Sequence, residues 1–281
     1  MTTLFVRKLT VIDCSYLDAR RGLVGESWHV DVELDGDLNE QGMLFDFGHV
    51  KKTLKKLIDS TVDHGLLIPT ETEAYKLISE DNDRVALEFN SHVGQFKHAS
   101  PLCAIQRLPV ESISPEAVAQ WLEQVAPSVL PENVKAVRFH LHHEIMPADQ
   151  AHYHYSHGLQ QHDGNCQRIA HGHRSKIEIF MDGERDTALE AEWAEKLRDI
   201  YIGTTDHLTG QDEQLHHYAY QAPQGGFELT IPARHCYLMD TETTVELIAC
   251  HLADQIKAAH PDRIVKVKAF EGVGKGALAE R

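Results

Sequence analysis

The sequence predicts an α+β protein of two tandem halves, each an antiparallel sheet with helices on one face. Three observations predict this. Strand-like and helix-like runs follow one order in residues 1–145 and repeat it in residues 146–281. At 281 residues the chain is long for one minimal core and comfortable for two domains. Hydrophobic residues make up 42% of it, enough for globular cores.

In the first half, Leu4 to Ile12 reads as a strand. Trp28-His29-Val30-Asp31-Val32-Glu33-Leu34 alternates apolar and polar residues and is closed by Asp35-Gly36, so it is a second strand. Val50 to Leu57 carries apolar residues at helical spacing with lysines between, and Asp63-His64 follows. Ala74 to Ile78 and Val85 to Phe89 are strand-like runs separated by an Asp/Asn turn. Ser114 is a good N-cap and Pro115 suits the first helical position. Val118, Trp121, Leu122 and Val125 then share one helix face. Val134 to Leu141 is a closing strand, with Glu144 just beyond.

The second half repeats this order. Lys176 to Met181 is a strand closed by Asp182-Gly183. Leu189, Trp193 and Leu197 recur at a spacing of four, which predicts a helix, and Asp206-His207 comes after it. Tyr218 to Tyr220 and Phe227 to Ile231 flank a Gly-rich turn. Thr243-Thr244-Val245-Glu246 opens a helix through Ile256, and Ile264 to Phe270 is the last strand, ending at Glu271. The halves join near residues 145–150.

Charge excludes some functions. Lys plus Arg total 27 against 43 Asp plus Glu, a formal net charge of -16, so no nucleic-acid partner is expected. Lys51-Lys52 and Lys55-Lys56 fit the wet face of a helix. An anionic small substrate stays open, because a pocket can be locally positive in an acidic protein. No apolar run reaches membrane-spanning length, and Met1-Thr2-Thr3-Leu4 lacks signal-peptide features. The five cysteines are scattered and odd in number, which argues against a disulfide framework and for the cytoplasm.

Histidine is the outlier, with 20 in all and six between His152 and His173. His171 and His173, one residue apart on a strand, point to one face, because side chains alternate with period two. Gly172 between them lets the backbone come close to a neighbouring group. His157, from an adjacent strand, completes a three-histidine face. Catalytic zinc has three protein ligands and an open fourth position, so these three are the expected zinc ligands. His-x-His alone also occurs in surface runs and nonspecific metal-binding loops. The upstream His157, the nearby Cys166 and the strand that follows His173 favour a built site. Nothing requires Cys166 to be a ligand.

These residues resemble the family of 6-pyruvoyltetrahydropterin and 6-carboxytetrahydropterin synthases, which has the tunnelling fold (T-fold). Tyr153-His154-Tyr155-Ser156-His157-Gly158-Leu159 looks like the family's first strand with its zinc histidine. Cys166 before His171-Gly172-His173 resembles the family's catalytic cysteine before His-Gly-His. The resemblance implies that Cys166 moves protons, with His207 as partner and Asp206 orienting it. It implies that Glu271 anchors the pterin, with Glu246 of Thr244-Val245-Glu246 a weaker candidate beside it. Gly42-Met43-Leu44-Phe45-Asp46-Phe47 extends the resemblance to the first half. There, however, Val24-Gly25-Glu26 stands where His-Gly-His would be, Arg20 where the first zinc histidine would be, and the loop between is too short to supply the cysteine. The second half in turn lacks Gly-Met-x-x-Asp-Phe.

The fold implied is two tandem T-fold domains, a zinc-free one in 1–145 and a zinc-binding catalytic one in 146–281. The implied assembly is a homo-oligomer closed into a β-barrel. The implied chemistry is zinc-dependent lyase action on 7,8-dihydroneopterin triphosphate or a related reduced pterin. The product would be of the 6-carboxy or 6-pyruvoyl type, and the former leads toward queuosine-type deazapurines. A non-catalytic zinc or pterin scaffold and a T-fold hydrolase of the cyclohydrolase type are the alternatives. The first half could also contribute Asp63-His64 or Glu144 to the zinc site.

Overall fold

The computed structural model describes residues 2–281. The first half opens with a long hairpin, β1 (Thr2–Asp18) and β2 (Gly22–Gly36). Helix α1 (Phe47–Thr61) follows, with Val50, Leu54 and Ile58 buried along one stripe and the lysines outside. Asp46 caps it by accepting from the His49 N–H at 3.0 Å. Then come β3 (Leu66–Pro69), β4 (Tyr75–Glu80), β5 (Arg84–Ser91), β6 (Gly94–Pro101) and β7 (Ile105–Leu108). Helix α2 (Pro115–Val125) begins at Ser114, whose Oγ accepts from the Ala117 N–H at 3.1 Å, and β8 (Val134–His142) closes the half.

The second half runs β9 (His152–His157), β10 (His171–Met181), β11 (Glu184–Arg185), α3 (Thr187–Lys196) and β12 (Ile200–Thr204). It continues with β13 (Leu208–Gln211), β14 (Leu215–Ala222), β15 (Gly225–Pro232) and β16 (Cys236–Met239). Helix α4 (Val245–Ala259), β17 (Val265–Phe270) and β18 (Gly276–Glu280) end the chain. No described helix is long and apolar enough to cross a membrane.

Each half forms a sheet, in the order β7-β3-β1-β2-β8 and β16-β12-β9-β10-β17-β18. These sheets are mixed rather than antiparallel. Strand β3 runs parallel to β1 and β7 parallel to β3; β12 runs parallel to β9 and β16 parallel to β12. The reason is the connection: a helix between β2 and β3, and another between β10 and β12, carries the chain back across the sheet, which permits parallel entry. The helices pack on one face of each sheet and bury separate apolar cores.

The strand-like pairs of the two halves do not stay in their own sheets. They merge into a third, six-stranded sheet, β13-β14-β15-β6-β5-β4, joined where β15 pairs with β6. A third core beneath it takes Leu17, Leu23, Phe89 and Phe96 from one half and Ile169, Tyr201, Tyr220 and Phe227 from the other. A buried apolar seam of this kind fixes one half against the other.

The seam is tightest at two glycines. A Cβ on Gly172 would sit 2.7 Å from the Gly25 Cα and 2.7 Å from the Ser15 Oγ, and one on Gly25 would meet the Tyr155 carbonyl. Beside them the Ser15 and Ser156 hydroxyls lie 2.7 Å apart, fully buried. The close approach expected of Gly172 is therefore to the other half of the chain.

Candidate active site

His157 ends β9 and lies directly opposite His171, the first residue of β10, with His173 two residues on. The three rings share a face, are essentially fully buried, and offer nitrogens within 4.8 Å of one another. His157 donates from Nδ1 to the Thr243 carbonyl at 2.9 Å, and His171 from Nδ1 to the Arg168 carbonyl at 3.0 Å. Those bonds fix both tautomers and turn each Nε2 inward, without a hydrogen-bond partner. Both ring nitrogens of His173 are likewise without one, and Nδ1 lies 3.2 Å from Asp13 Oδ1. Burial, and then the neighbouring histidines, push His157 and His171 well below the usual imidazole range. Three buried imidazoles with converging unpartnered nitrogens suit a zinc ion, and Asp13 behind His173 is placed to orient such a ligand.

Asp13 belongs to the first half. Burial opposes its ionisation, but His173, Lys275 and Ser27 outweigh burial and hold it well below the usual carboxylate range. It accepts from the Ser27 Oγ at 2.5 Å and lies 3.3 Å from the Lys275 ammonium.

The first half also brings in Asp63 and His64. Asp63 Oδ2 lies 2.7 Å from His64 Nδ1, and Asp63 Oδ1 accepts from the Asp13 N–H at 2.9 Å. The His64 N–H donates to the Asp13 carbonyl at 2.6 Å. The His64 ring stands 5.5 Å from that of His171 and 6.4 Å from that of His173, and Cys166 is close enough to act on it electrostatically. Burial works against a charged His64, but the bond to Asp63 and the neighbouring Cys166 prevail and push it up to about 10. Cys166 itself sits on a short 3-10 turn, Asn165–Gln167, just before β10.

Glu271 follows β17, and its Oε1 is 3.9 Å from His173 Nε2. Lys275 reaches its Oε2 at 3.7 Å. The other sequence candidates lie elsewhere. Glu246 is exposed on the first turn of α4 and makes no ion pair or side-chain hydrogen bond among the described residues. His207 is 3.1 Å from Gln160 Oε1 and 3.5 Å from Glu242, with its ring against Tyr220, while Asp206 is exposed. Neither faces Cys166. Glu144 ion-pairs with Lys176 at 2.8 Å, away from the three histidines.

A family model for 6-pyruvoyl tetrahydropterin synthase matches residues 14–146 and again residues 148–281. The chain belongs to the 6-pyruvoyl tetrahydropterin synthase family. Two putative 6-carboxy-5,6,7,8-tetrahydropterin synthases, from Pyrococcus abyssi and Pyrococcus horikoshii, are each 25% identical to it, over 131 and 127 residues. Each match covers 45% of this chain and 72% of the relative. A catalytic-residue mutant of Plasmodium vivax 6-pyruvoyltetrahydropterin synthase aligns with TM-score 0.39 and 18% identity over 50% of this chain and 90% of its own. The Plasmodium falciparum enzyme aligns with TM-score 0.34 and 20% identity over 43% of this chain and 74% of its own.

A double match lets the two family units be laid on each other. Ser15 opposes Gly25 as Ser156 opposes Gly172, so Tyr16, not Arg20, takes the place of His157, and Val24 and Glu26 take those of His171 and His173. Arg20 lies in the tight hairpin turn, its N–H bonded to Asp18. Leu66 pairs with Ser15 as Tyr201 pairs with Ser156, which makes Asp199, not His207, the counterpart of His64. Their backbones agree: His64 and Asp199 both turn left-handed, with φ of 51° and 53°.

Charges are exchanged around the first unit's empty equivalent. Glu26 stands where His173 does and has His143 at 3.2 Å and His154 at 3.7 Å, where His173 has Glu271 and Asp13. Arg21 fills the remainder, donating from Nε to Asp199 Oδ2 at 2.9 Å and from Nη1 to the Tyr16 hydroxyl at 3.2 Å. This unit keeps the strand geometry of the site with none of its three histidines. Sequence reasoning missed Asp13, Thr243 and Arg168, and the pairing of Cys166 with His64. One signal was available for the last: Asp63-His64 directly follows the first helix of its unit, whereas Asp206-His207 follows a strand.

Proposed function

We propose that this chain is a zinc-dependent lyase acting on 7,8-dihydroneopterin triphosphate or a closely related reduced pterin. The observation that carries the proposal is the convergence of three unpartnered, buried imidazole nitrogens beside a Cys166–His64–Asp63 relay. His157, His171 and His173 would hold the metal. Zinc bound there supplies Lewis acidity toward the oxygens of the substrate side chain. Cys166 takes or returns a proton at the carbon being altered, and His64 exchanges that proton with it. Asp63 fixes the His64 tautomer and stabilises its cation, as the third member of a relay does. Glu271 accepts hydrogen bonds from the pterin ring, with Lys275 holding its carboxylate in place.

In this reading the zinc-binding catalytic unit is residues 146–281, and residues 1–145 are a zinc-free unit that completes its site through Asp13, Asp63 and His64. The full protein would be a homo-oligomer, because T-fold sheets leave edges such as β8 and β18 unpaired within the chain. Of the two products the family names suggest, the 6-carboxy type is favoured by the two Pyrococcus relatives. Incubation with dihydroneopterin triphosphate, followed by product analysis, tests the reading. A 6-carboxytetrahydropterin product supports it, a 6-pyruvoyl product changes the branch, and no consumption by the zinc-loaded protein refutes it.

A further inference from the structure

The loop that carries Cys166 also forms one wall of an open groove of about 660 Å³, and α1 of the first half forms the other. Lys52, Lys55 and Lys56 line it from α1, and Asn165 and Arg168 line it from the loop. Lys55 is neutralised by Asp59 at 2.7 Å. Lys52, Lys56 and Arg168 have no carboxylate within ion-pair distance among the described residues. The three gather on one groove of a chain in which 43 acidic side chains outnumber 27 basic ones. Surplus cations lining a concave surface focus a positive potential there and draw in small anions, while the acidic remainder repels long polyanions.

Arg168 gives the groove a fixed point. It is 4% exposed, and its guanidinium hydrogen-bonds only neutral acceptors, the Gln224 Oε1 at 3.2 Å, the His64 carbonyl at 3.3 Å and the Asp63 carbonyl at 3.4 Å. A buried guanidinium without a counter-charge is costly, and a phosphate oxygen is the acceptor its planar fork suits best. The two walls are tied together by Asn165, which donates from Nδ2 to the Asp59 carbonyl at 3.2 Å. An anion bound at Arg168 therefore lies beside the loop where Cys166 meets His64.

We propose that this groove binds the phosphate chain of the substrate, a linear polyphosphate monoester, between Lys52 and Lys56 of one half and Arg168 of the other. The proposal rests on the pterin triphosphate reading above and adds the subsite that selects the phosphorylated substrate. It also gives the first half a second purpose, because α1 supplies two of the three unpaired cations.

The test is calorimetric titration of the full chain with inorganic tripolyphosphate, zinc-loaded and zinc-stripped, beside a Lys52→Ala/Lys56→Ala double variant. Both lysines are exposed, so the variant folds as the parent does, which its melting temperature checks. Tripolyphosphate should bind the parent with or without zinc. It should bind the variant at least about tenfold more weakly, the order expected for two lost charge contacts. With dihydroneopterin triphosphate, KM should rise by a similar factor while the effect on kcat stays small. Equal binding to parent and variant, or binding that vanishes when zinc is stripped, overturns the groove assignment. Turnover with the same KM in both overturns it while leaving the lyase reading intact. Loss of tripolyphosphate binding in the variant, with no turnover by the parent, keeps the groove and removes the lyase reading.

Discussion

Asp63→Asn isolates the relay without dismantling the site. Asp63 makes two side-chain bonds, to the Asp13 N–H at 2.9 Å and to the His64 ring at 2.7 Å. An asparagine amide oxygen still accepts from the Asp13 N–H, so the loop stays seated. What is lost is the charge-assisted bond to His64, about 1.5–3 kcal/mol by analogy with other charged bonds. At about 1.4 kcal/mol per pKa unit, that lowers His64 by roughly one to two units from its raised value. Asp63 touches none of the three metal histidines, so zinc content should stay at the parent level. Turnover should fall by about 10²–10⁴, the range for a disabled general acid–base group. The basic limb of the pH–rate profile should move toward neutrality.

Stability gives an independent readout of the same bond. His64 is raised to about 10 in the folded chain, so its contribution is fully present below its unfolded value of about 6.5 and is lost as pH rises through about 10. The melting-temperature gap between parent and Asp63→Asn should therefore be wide at pH 6 and narrow at pH 10.5. A variant with parental turnover and an unmoved pH profile would refute the relay, whatever its stability.

Other predictions follow from the same contacts. Purified protein should carry about one zinc per chain by elemental analysis, and His171→Ala/His173→Ala should empty it; two tight zincs per chain would contradict the zinc-free reading of the first unit. Cys166→Ala should retain zinc and lose turnover, whereas zinc loss would make Cys166 a ligand. Gly172→Ala pushes a methyl against Gly25 and Ser15, and should cost about 1–3 kcal/mol or more in denaturant melts. The isolated segment 146–281 should turn over little although it holds all three metal histidines, and light scattering of the full chain should give more than one chain per particle.

The clustering of the three histidines was legible because its signal is local. His171 and His173 need only strand periodicity to share a face, and His157 needs only the antiparallel neighbour. The cap at Ser114 and the apolar stripe of α1 were legible for the same reason. The partner proposed for Cys166 was not. Asp-His occurs twice in the chain, and which copy meets the thiol depends on the docking of two halves across the Gly25–Gly172 contact. Parallel register, which matches His64 with Asp199, is set by helix crossovers and leaves no mark in a short motif. Arg20 was misplaced for a related reason: counting residues cannot see that the hairpin turn of the first unit closes four residues past Tyr16, while β9 and β10 are joined by a long loop. The merging of β6 with β15 was hidden as well, since both hairpins read as ordinary members of their own halves.

The central claim is that the first half completes the site of the second through His64, not that the second half serves itself through His207. The most direct measurement compares His64→Ala with His207→Ala in the full-length, zinc-loaded protein, scoring product formation from dihydroneopterin triphosphate and zinc content together. His64→Ala should lose about 10²-fold or more in turnover with zinc retained, and His207→Ala should stay within a few-fold of the parent. Loss of turnover in His207→Ala with His64→Ala still active would contradict the claim.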